Sequence, residues 1–359
     1  MTVAVLGAGA GGLSAVIELC FAGHDVVLWN RRAETFALNC PNSEIRYRGV
    51  LGEGSISPKQ MTTDLREALA QADVVVVCLP SVVHAPLFEE LAALDCTVPI
   101  VLNPGHTGGA LHLREVFRQA ESLLPPVAEF STLTYVARVD SEGRVNTTGR
   151  AQTVRAACLP GGDSALDWAQ TLFPGALKVA DVIASSLSNV NLVLHPPGAI
   201  LGAAWVEATS GNFTFYVEAM TPGVSRVMQA LDDERLAVAK SFGHALPSLI
   251  QEMAAIGTVE SETALRGELS AAIRGGSANA LITAPDSFEH RYYQEDLAFG
   301  LLPFVELAQL ANVPVPVARA LLLLGSTAVG GDILANGLNS KRLGLENLDL
   351  DTFLTSVRN

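Results

Sequence analysis

A glycine-rich turn near the N-terminus constrains the fold of this chain more than any other feature. Residues 3–6 form an apolar run that predicts a β-strand, and the turn Gly7-Ala-Gly9-Ala-Gly-Gly12 follows it directly. A helical pattern of apolar positions begins at once and runs over residues 13–20. Gly-x-Gly-x-x-Gly between a strand and a helix is the fingerprint of a dinucleotide-binding βαβ unit.

Each glycine of the turn has a separate expected role in cofactor binding. Gly7 allows the tight turn, Gly9 lets the backbone approach a pyrophosphate, and Gly12 lets the helix pack closely on the strand. The helix N-terminus offers free N–H groups and the positive end of its dipole to the phosphates. A purely structural strand–helix turn is the alternative interpretation.

The end of the second predicted strand, over residues 24–29, bears on the choice of dinucleotide. Enzymes that use NAD usually carry an acidic residue here, which binds the ribose 2′-hydroxyl. This chain has Asn30, Arg31 and Arg32, and arginine pairs well with phosphate. The chain has only 23 Lys and Arg against 37 Asp and Glu, so two adjacent arginines favour NADP (NADPH) over NAD. Alternatively, the arginines are solvated and Asn30 binds a ribose hydroxyl.

Composition narrows the class of protein. The chain has 359 residues, 49% of them hydrophobic and 17% charged, which predicts two folded domains and excludes general disorder. A net charge of −14 argues against a nucleic-acid partner. The five cysteines lack metal-ligand or disulfide-framework spacing, so we expect no metal and a cytoplasmic protein. We also expect no signal peptide and no membrane span, and a homodimer is the default oligomer.

The secondary-structure pattern divides the chain at about residue 185. The first part alternates predicted strands and helices, and residues 73–79 read as a strand buried on both faces. Beyond it, helical periodicity dominates. We therefore predict an α/β protein with a Rossmann dinucleotide-binding domain over residues 1–184 and a mainly helical substrate domain over residues 185–359.

Polar residues interrupt an otherwise apolar segment at the start of the predicted second domain. Ser188, Asn191 and His195 are spaced three and four residues apart, which places them on one helical face. Pro196 and Pro197 follow, so we expect His195 at a kink or at the end of that helix. A histidine there is accessible to a ligand, although a structural role remains the alternative.

A second polar segment follows at residues 289–296. Arg291 and Glu295 have the i,i+4 spacing of a surface ion pair, and Asp296 is expected as a helix cap or a buried partner. His106, in a glycine-rich loop after a predicted strand, is a weaker candidate for a position near a nicotinamide. Tyr216, Phe213 and Phe215 form an aromatic stripe. Such a stripe is more typical of core packing, and contact with a substrate is the alternative interpretation.

Four motifs together resemble the opine dehydrogenase family, over nearly the whole chain. They are Gly7-x-Gly9-x-x-Gly12, Asn103-Pro-Gly-His-Thr-Gly-Gly109, Ser188-Asn-Val-Asn191-x-x-x-His195-Pro196 and Arg291-Tyr-x-x-Glu-Asp296. The resemblance is strongest to bacterial enzymes that make N-(carboxyalkyl)amino acids. It implies a His195–Asp296 catalytic dyad, with Asn191 holding the substrate and Arg291 binding a carboxylate. A member of this family that uses NAD has an acidic residue where this chain has Asn30. This difference again favours NADPH.

The activity implied by this resemblance is a reductive condensation of a 2-oxo acid with an amine or amino acid. Histidine suits the proton transfers, because its ordinary pKa of about 6.5 lies near neutrality. A guanidinium such as that of Arg291 matches a planar carboxylate. Two alternatives remain open: a reductase acting on 2-oxo or hydroxy acids, and a non-enzymatic NADPH sensor.

Overall fold

The chain forms two compact units. The computed structural model describes residues 1–260, 262, 268–276 and 279–358. The first unit contains residues 1–105 and 116–179, and the second contains residues 106–115 and everything from Ala180 onward. The chain thus passes into the second unit at Ala180, five residues before the predicted boundary, and the segment 106–115 also belongs to that unit.

An eight-stranded sheet organises the first unit, with the order β12-β11-β8-β7-β6-β1-β2-β5. All neighbouring strands are parallel except the antiparallel pair β8 and β11. A smaller sheet has the order β4-β3-β10-β9. The strands are β1 (Thr2–Leu6), β2 (Asp25–Trp29), β3 (Ile45–Gly49), β4 (Gly54–Ile56), β5 (Gln60–Thr62), β6 (Val74–Val77), β7 (Ile100–Leu102), β8 (Val127–Phe130), β9 (Tyr135–Val139), β10 (Val145–Arg150), β11 (Val154–Cys158) and β12 (Ala176–Lys178).

Hydrophobic strands form the core of this unit. Every residue of β6 is fully buried, as its continuous apolar run predicts. A turn at Asp140–Gly143 joins β9 to β10, with the Asp140 N–H donating to the Arg144 carbonyl. The helices of this unit are α1 (Ala10–Phe21), α2 (Ala33–Asn39), α3 (Leu65–Leu69), α4 (His84–Ala93) and α6 (Asp163–Leu172). Helix α5 (Gly109–Gln119) begins in the second unit and ends in the first.

The second unit is helical over its described residues, and an isolated bridge between Thr214 and Thr283 is its one β contact there. Two short segments, Phe215–Ala219 and Asp296–Leu301, are π-helical. The α-helices are α7 (Val182–Ser186), α8 (Asn191–Leu201), α9 (Ala203–Thr209), α10 (Pro222–Ser241), α11 (Leu249–Ile256), α12 (Leu269–Gly275), α13 (Arg291–Glu295), α14 (Leu302–Leu310), α15 (Pro316–Val329) and α16 (Leu350–Arg358).

Helix α8 differs from its prediction. It begins at Asn191, so Ser188 lies outside it, and it continues through Pro196 and Pro197 to Leu201. His195 therefore lies within the helix rather than at its end. Proline has a φ angle compatible with a helix and removes one backbone donor, so the helix can continue after losing those hydrogen bonds.

None of the helices in the described ranges combines the length and the apolar character that crossing a membrane requires.

Candidate active site

The glycine turn of the first unit has the geometry that its sequence predicts. Gly7 has φ +123°, which favours glycine. A Cβ atom on Gly12 would lie 1.9 Å from the Gly7 carbonyl oxygen, whereas one on Gly9 would meet nothing within 4 Å. Gly12 thus permits close packing of α1, and the space beside Gly9 is open. The residues present therefore fit a dinucleotide pyrophosphate at this turn.

Asn30 follows β2 and lies beside the same turn. Its side-chain oxygen accepts a hydrogen bond from the Ala8 N–H at 3.2 Å, and its amide donates to the Arg32 carbonyl at 3.0 Å. Arg31 and Arg32 are exposed, whereas Asn30 is buried. The amide thus fixes the start of the arginine loop against the glycine turn.

The second unit brings His195 and Asp296 into direct contact. His195 Nδ1 lies 2.8 Å from Asp296 Oδ2, and both side chains are buried. An ionised carboxylate only accepts hydrogen bonds, so Nδ1 carries the proton of this contact. The neutral imidazole then has its lone pair on Nε2, and Asp296 fixes that tautomer.

Two tyrosines complete the surroundings of His195. The Tyr216 hydroxyl lies 2.8 Å from His195 Nε2, and the two tyrosine hydroxyl oxygens, those of Tyr216 and Tyr292, are 3.3 Å apart. The Tyr292 ring stacks on the imidazole, with centroids 3.9 Å apart. Both tyrosines are buried, so they are core residues as well as polar partners.

An ion pair lies next to this dyad in the sequence. Arg291 Nη2 is 2.7 Å from Glu295 Oε2, and His106 Nε2 is 3.5 Å from Glu295 Oε1. The Arg291 side chain is 43% exposed although Glu295 is buried, so the pair is not confined to the surface. The Glu295 carboxylate raises the pKa of Arg291.

His106 is buried and has φ +56° in its glycine-rich loop. Burial lowers its pKa, and this effect outweighs the opposite influence of the Glu295 carboxylate. His106 is therefore neutral at neutral pH and joins Arg291, Glu295 and the dyad in one polar group. We call this group the His195 cluster; its members are His106, His195, Tyr216, Arg291, Tyr292, Glu295 and Asp296.

Asn191 lies four residues before His195, at the first position of α8. Its backbone N–H donates to the Asn189 side chain at 3.0 Å, and its own side chain is half-buried. The i,i+4 spacing places Asn191 and His195 on one face of the helix, as predicted. The aromatic pattern around Tyr216 favoured core packing over substrate contact, and no sequence pattern pointed to a role for Tyr292 or to a contact between His106 and Glu295.

Local backbone structure explains how the cluster is assembled. Tyr216 belongs to the π-helical segment Phe215–Ala219, and Asp296 opens the other π-helical segment, Asp296–Leu301. Such segments are rare and often occur at functional sites. His195 thus contacts one residue from each of the two π-helical segments in the described part of the chain, Tyr216 and Asp296.

Comparisons with known proteins match the two parts of the chain to different family models. Residues 3–158 match the family model for ketopantoate reductase PanE/ApbA, and residues 178–329 match that for the alpha-helical domain of NAD/NADP octopine/nopaline dehydrogenase. Octopine dehydrogenase, in its structure with NADH and L-arginine, has a TM-score of 0.75 at 21% identity, covering 99% of this chain and 98% of that one. Yersinopine dehydrogenase with NADP⁺ has a TM-score of 0.71 at 15% identity, covering 96% and 97%.

The Rossmann-type sheet, its glycine turn and the helical unit define an NAD(P)-dependent oxidoreductase. Opine dehydrogenase of Arthrobacter sp. (strain 1C) is 32% identical over 356 residues, which cover 97% of this chain and 96% of that protein. Vitopine synthase of Allorhizobium ampelinum is 27% identical and covers 96% of each chain. The chain belongs to the opine dehydrogenase family, whose members act on the CH–NH group of their donors.

Proposed function

We propose that this opine dehydrogenase uses NADPH to condense a 2-oxo acid with an amine or amino acid, and that it catalyses the reverse oxidation of the N-(carboxyalkyl) product. The observation that carries the proposal is the buried His195–Asp296 contact of 2.8 Å. Relatives support the range of substrates, since structures of octopine dehydrogenase contain pyruvate, L-arginine or agmatine.

His195 is proposed as the group that accepts and returns protons during condensation. With Nδ1 bound to Asp296, Nε2 is the basic nitrogen, and the buried carboxylate stabilises the imidazolium that forms when Nε2 takes a proton. Asp296 therefore acts through the ring. Its charge and its hydrogen bond maintain the orientation that proton transfer requires.

Arg291 and Asn191 are proposed to bind substrate. The Arg291 guanidinium is held by Glu295 through one nitrogen and is 43% exposed, so other N–H donors remain available to a carboxylate. The half-buried Asn191 amide has both a donor and an acceptor one helical turn before His195. This combination suits the carboxylate and carbonyl groups of a 2-oxo acid.

NADPH is proposed as the cofactor, and when bound it supplies the hydride that reduces the condensed imine. Gly7, Gly9 and Gly12 would hold the pyrophosphate at the start of α1. Arg31 and Arg32 are exposed, and the preceding residue, Asn30, carries no negative charge that would repel a phosphate. The two positive charges therefore suit a 2′-phosphate. We also propose that the protein is a cytoplasmic homodimer. Light scattering after gel filtration would test its oligomeric state.

One assay tests the function against its alternatives. NADPH absorbance is followed with a panel of 2-oxo acids, each with and without amines and amino acids. Oxidation that requires both partners is the expected result. Oxidation with the oxo acid alone would identify a simple reductase instead. Tight NADPH binding without oxidation by any pair would identify a cofactor-binding sensor.

A further inference from the structure

The basic nitrogen of His195 is already engaged by a protein group. The Nε2 atom has one in-plane lone pair in the tautomer that Asp296 fixes, and the Tyr216 hydroxyl lies 2.8 Å from it. In that tautomer the Tyr216 hydroxyl donates a hydrogen bond to Nε2. A substrate atom therefore cannot hydrogen-bond Nε2 directly while Tyr216 keeps this position.

We propose that Tyr216 is a catalytic residue that carries protons between the substrate and His195. This inference rests on the proposed condensation and deepens it. A hydroxyl can receive a proton on its oxygen while releasing its own proton, so Tyr216 can extend the reach of Nε2 without changing its own net charge.

The proton transfers balance over the condensation. When the amine adds to the carbonyl carbon, a proton leaves nitrogen for the Tyr216 oxygen, and the Tyr216 proton moves to Nε2. The proton then returns by the same route to the former carbonyl oxygen, giving a hydroxyl. A second transfer of the same kind forms the C–N double bond and releases the hydroxyl as water, and His195 ends neutral.

The surroundings of Tyr216 hold it for this role. The Glu218 carboxylate accepts hydrogen bonds from the Thr214 N–H at 2.6 Å and from the Thr214 hydroxyl at 2.8 Å, which closes the π-helical segment on itself. The Phe215 N–H donates to the Ile282 carbonyl at 2.9 Å. These contacts fix the backbone on one side of Tyr216, while the Tyr292 hydroxyl at 3.3 Å offers its oxygen a second partner.

The experiment compares Tyr216→Phe with Tyr293→Phe. Tyr293 is a buried neighbour outside the His195 cluster, and its hydroxyl donates to the Ala199 carbonyl at 2.8 Å, so the control also loses one buried hydrogen bond. We expect Tyr216→Phe to lower the single-turnover rate of NADPH oxidation about 100-fold, in the range of general acid–base effects, with KM changed less than about threefold. Tyr293→Phe is expected to stay within about threefold of the wild-type rate.

Two further readouts separate a shuttle from a purely structural role. The wild-type rate is expected to depend on the deuterium fraction of the solvent in a curved manner, because two protons move together, and Tyr216→Phe is expected to give a straight line. Nitrogen NMR of labelled histidine in the free protein is expected to show a shifted Nε2 resonance and an unchanged Nδ1 resonance in Tyr216→Phe.

Three outcomes would overturn the shuttle. They are a Tyr216→Phe rate within about twofold of wild type, a straight-line deuterium dependence in the wild type, and a change at Nδ1 showing that the tautomer itself was lost. Each leaves the proposed function standing, because the wild type still oxidises NADPH with both partners. A wild type inactive with every pair would instead remove the proposed function.

Discussion

Glu295 and Asp296 are neighbours in the sequence, yet their carboxylates contact two different histidines. Asp296 Oδ2 lies 2.8 Å from His195 Nδ1, and Glu295 Oε1 lies 3.5 Å from His106 Nε2. Glu295 ends α13 and Asp296 begins a π-helical segment, so consecutive residues diverge around the helix axis. One short segment thereby places two negative charges for separate purposes.

The charge of Asp296 can be tested without changing its shape. Asp296→Asn keeps the side-chain volume but removes the charge that stabilises imidazolium. Its amide can also present a donor to Nδ1 instead of an acceptor, so the tautomer is no longer fixed. We expect kcat to fall by about 10²–10⁴-fold, while NADPH affinity changes less than about twofold. Steady-state kinetics and fluorescence titration measure the two quantities. The exposed Asp286→Asn is the matched control, and equal losses in both variants would contradict a specific role.

Arg291 is expected to bind the 2-oxo acid carboxylate. Arg291→Lys keeps the charge but loses the planar fork, so we expect KM for the 2-oxo acid to rise about 10–100-fold, the equivalent of one or two charged hydrogen bonds. KM for the amine should change much less. Separate saturation curves for each substrate make the comparison, with exposed Arg274→Lys as the control. An effect confined to the amine would assign Arg291 to the other substrate.

The buried His106 makes stability depend on pH. Its pKa is lowered in the folded protein by burial, so the unfolded chain binds the proton more readily. The stability that follows from neutral His106 is complete above the ordinary pKa of about 6.5 and is lost as pH falls below it. We expect the free energy of unfolding, measured in urea at pH 7.5 and 5.5, to fall less for His106→Gln than for wild type. Parallel losses would show that other groups dominate.

The arginine loop sets the expected cofactor preference. Replacing Arg31 and Arg32 with alanine should raise the Kd of NADPH about tenfold, because a charged contact with the 2′-phosphate is lost, and should leave the Kd of NADH within about threefold. High salt should reduce the difference, since both arginines are exposed. Asn30→Asp should shift preference towards NADH. Fluorescence titrations with both cofactors measure these constants.

Two glycines of one turn should respond to alanine in different ways. At Gly12 a Cβ would lie 1.9 Å from a backbone oxygen, so Gly12→Ala should cost about 1–3 kcal/mol of stability and lower Tm by several degrees. At Gly9 a Cβ meets open space, so Gly9→Ala should keep Tm within about 2 °C while weakening NADPH binding. Calorimetry and titration of both variants test this contrast directly.

The spacing and hydrophobicity of neighbouring residues correctly predicted part of the fold. The glycine turn and the buried strand β6 follow from residue spacing and continuous hydrophobicity. Strands β3, β4 and β5 were not predicted. The last two have three residues each, which are too few to establish a periodicity. The continuation of α8 through two prolines was also not predicted. A residue before proline tends to leave helical geometry, but this preference does not hold at every position.

Contacts in the candidate site join residues that are far apart in the sequence, and local patterns do not predict such contacts. His195 and Asp296 were paired because a family pattern links residues 101 positions apart. Tyr216 and His106 lacked such a link, since an aromatic stripe and a glycine-rich loop have more frequent structural explanations. Their contacts with His195 and Glu295 exist only once the chain has folded.

The membership of residues 106–115 in the second unit has a practical consequence for dissecting this protein. Within that unit the Gly108 N–H donates to the Ser186 hydroxyl at 2.9 Å, and the Asn189 amide donates to the Thr107 hydroxyl at 3.1 Å. A fragment that ends at residue 184 would keep Thr107 and Gly108 but lose Ser186 and Asn189, their hydrogen-bond partners. We therefore expect a fragment that begins at residue 185 to be less stable than the same fragment supplied with residues 106–115.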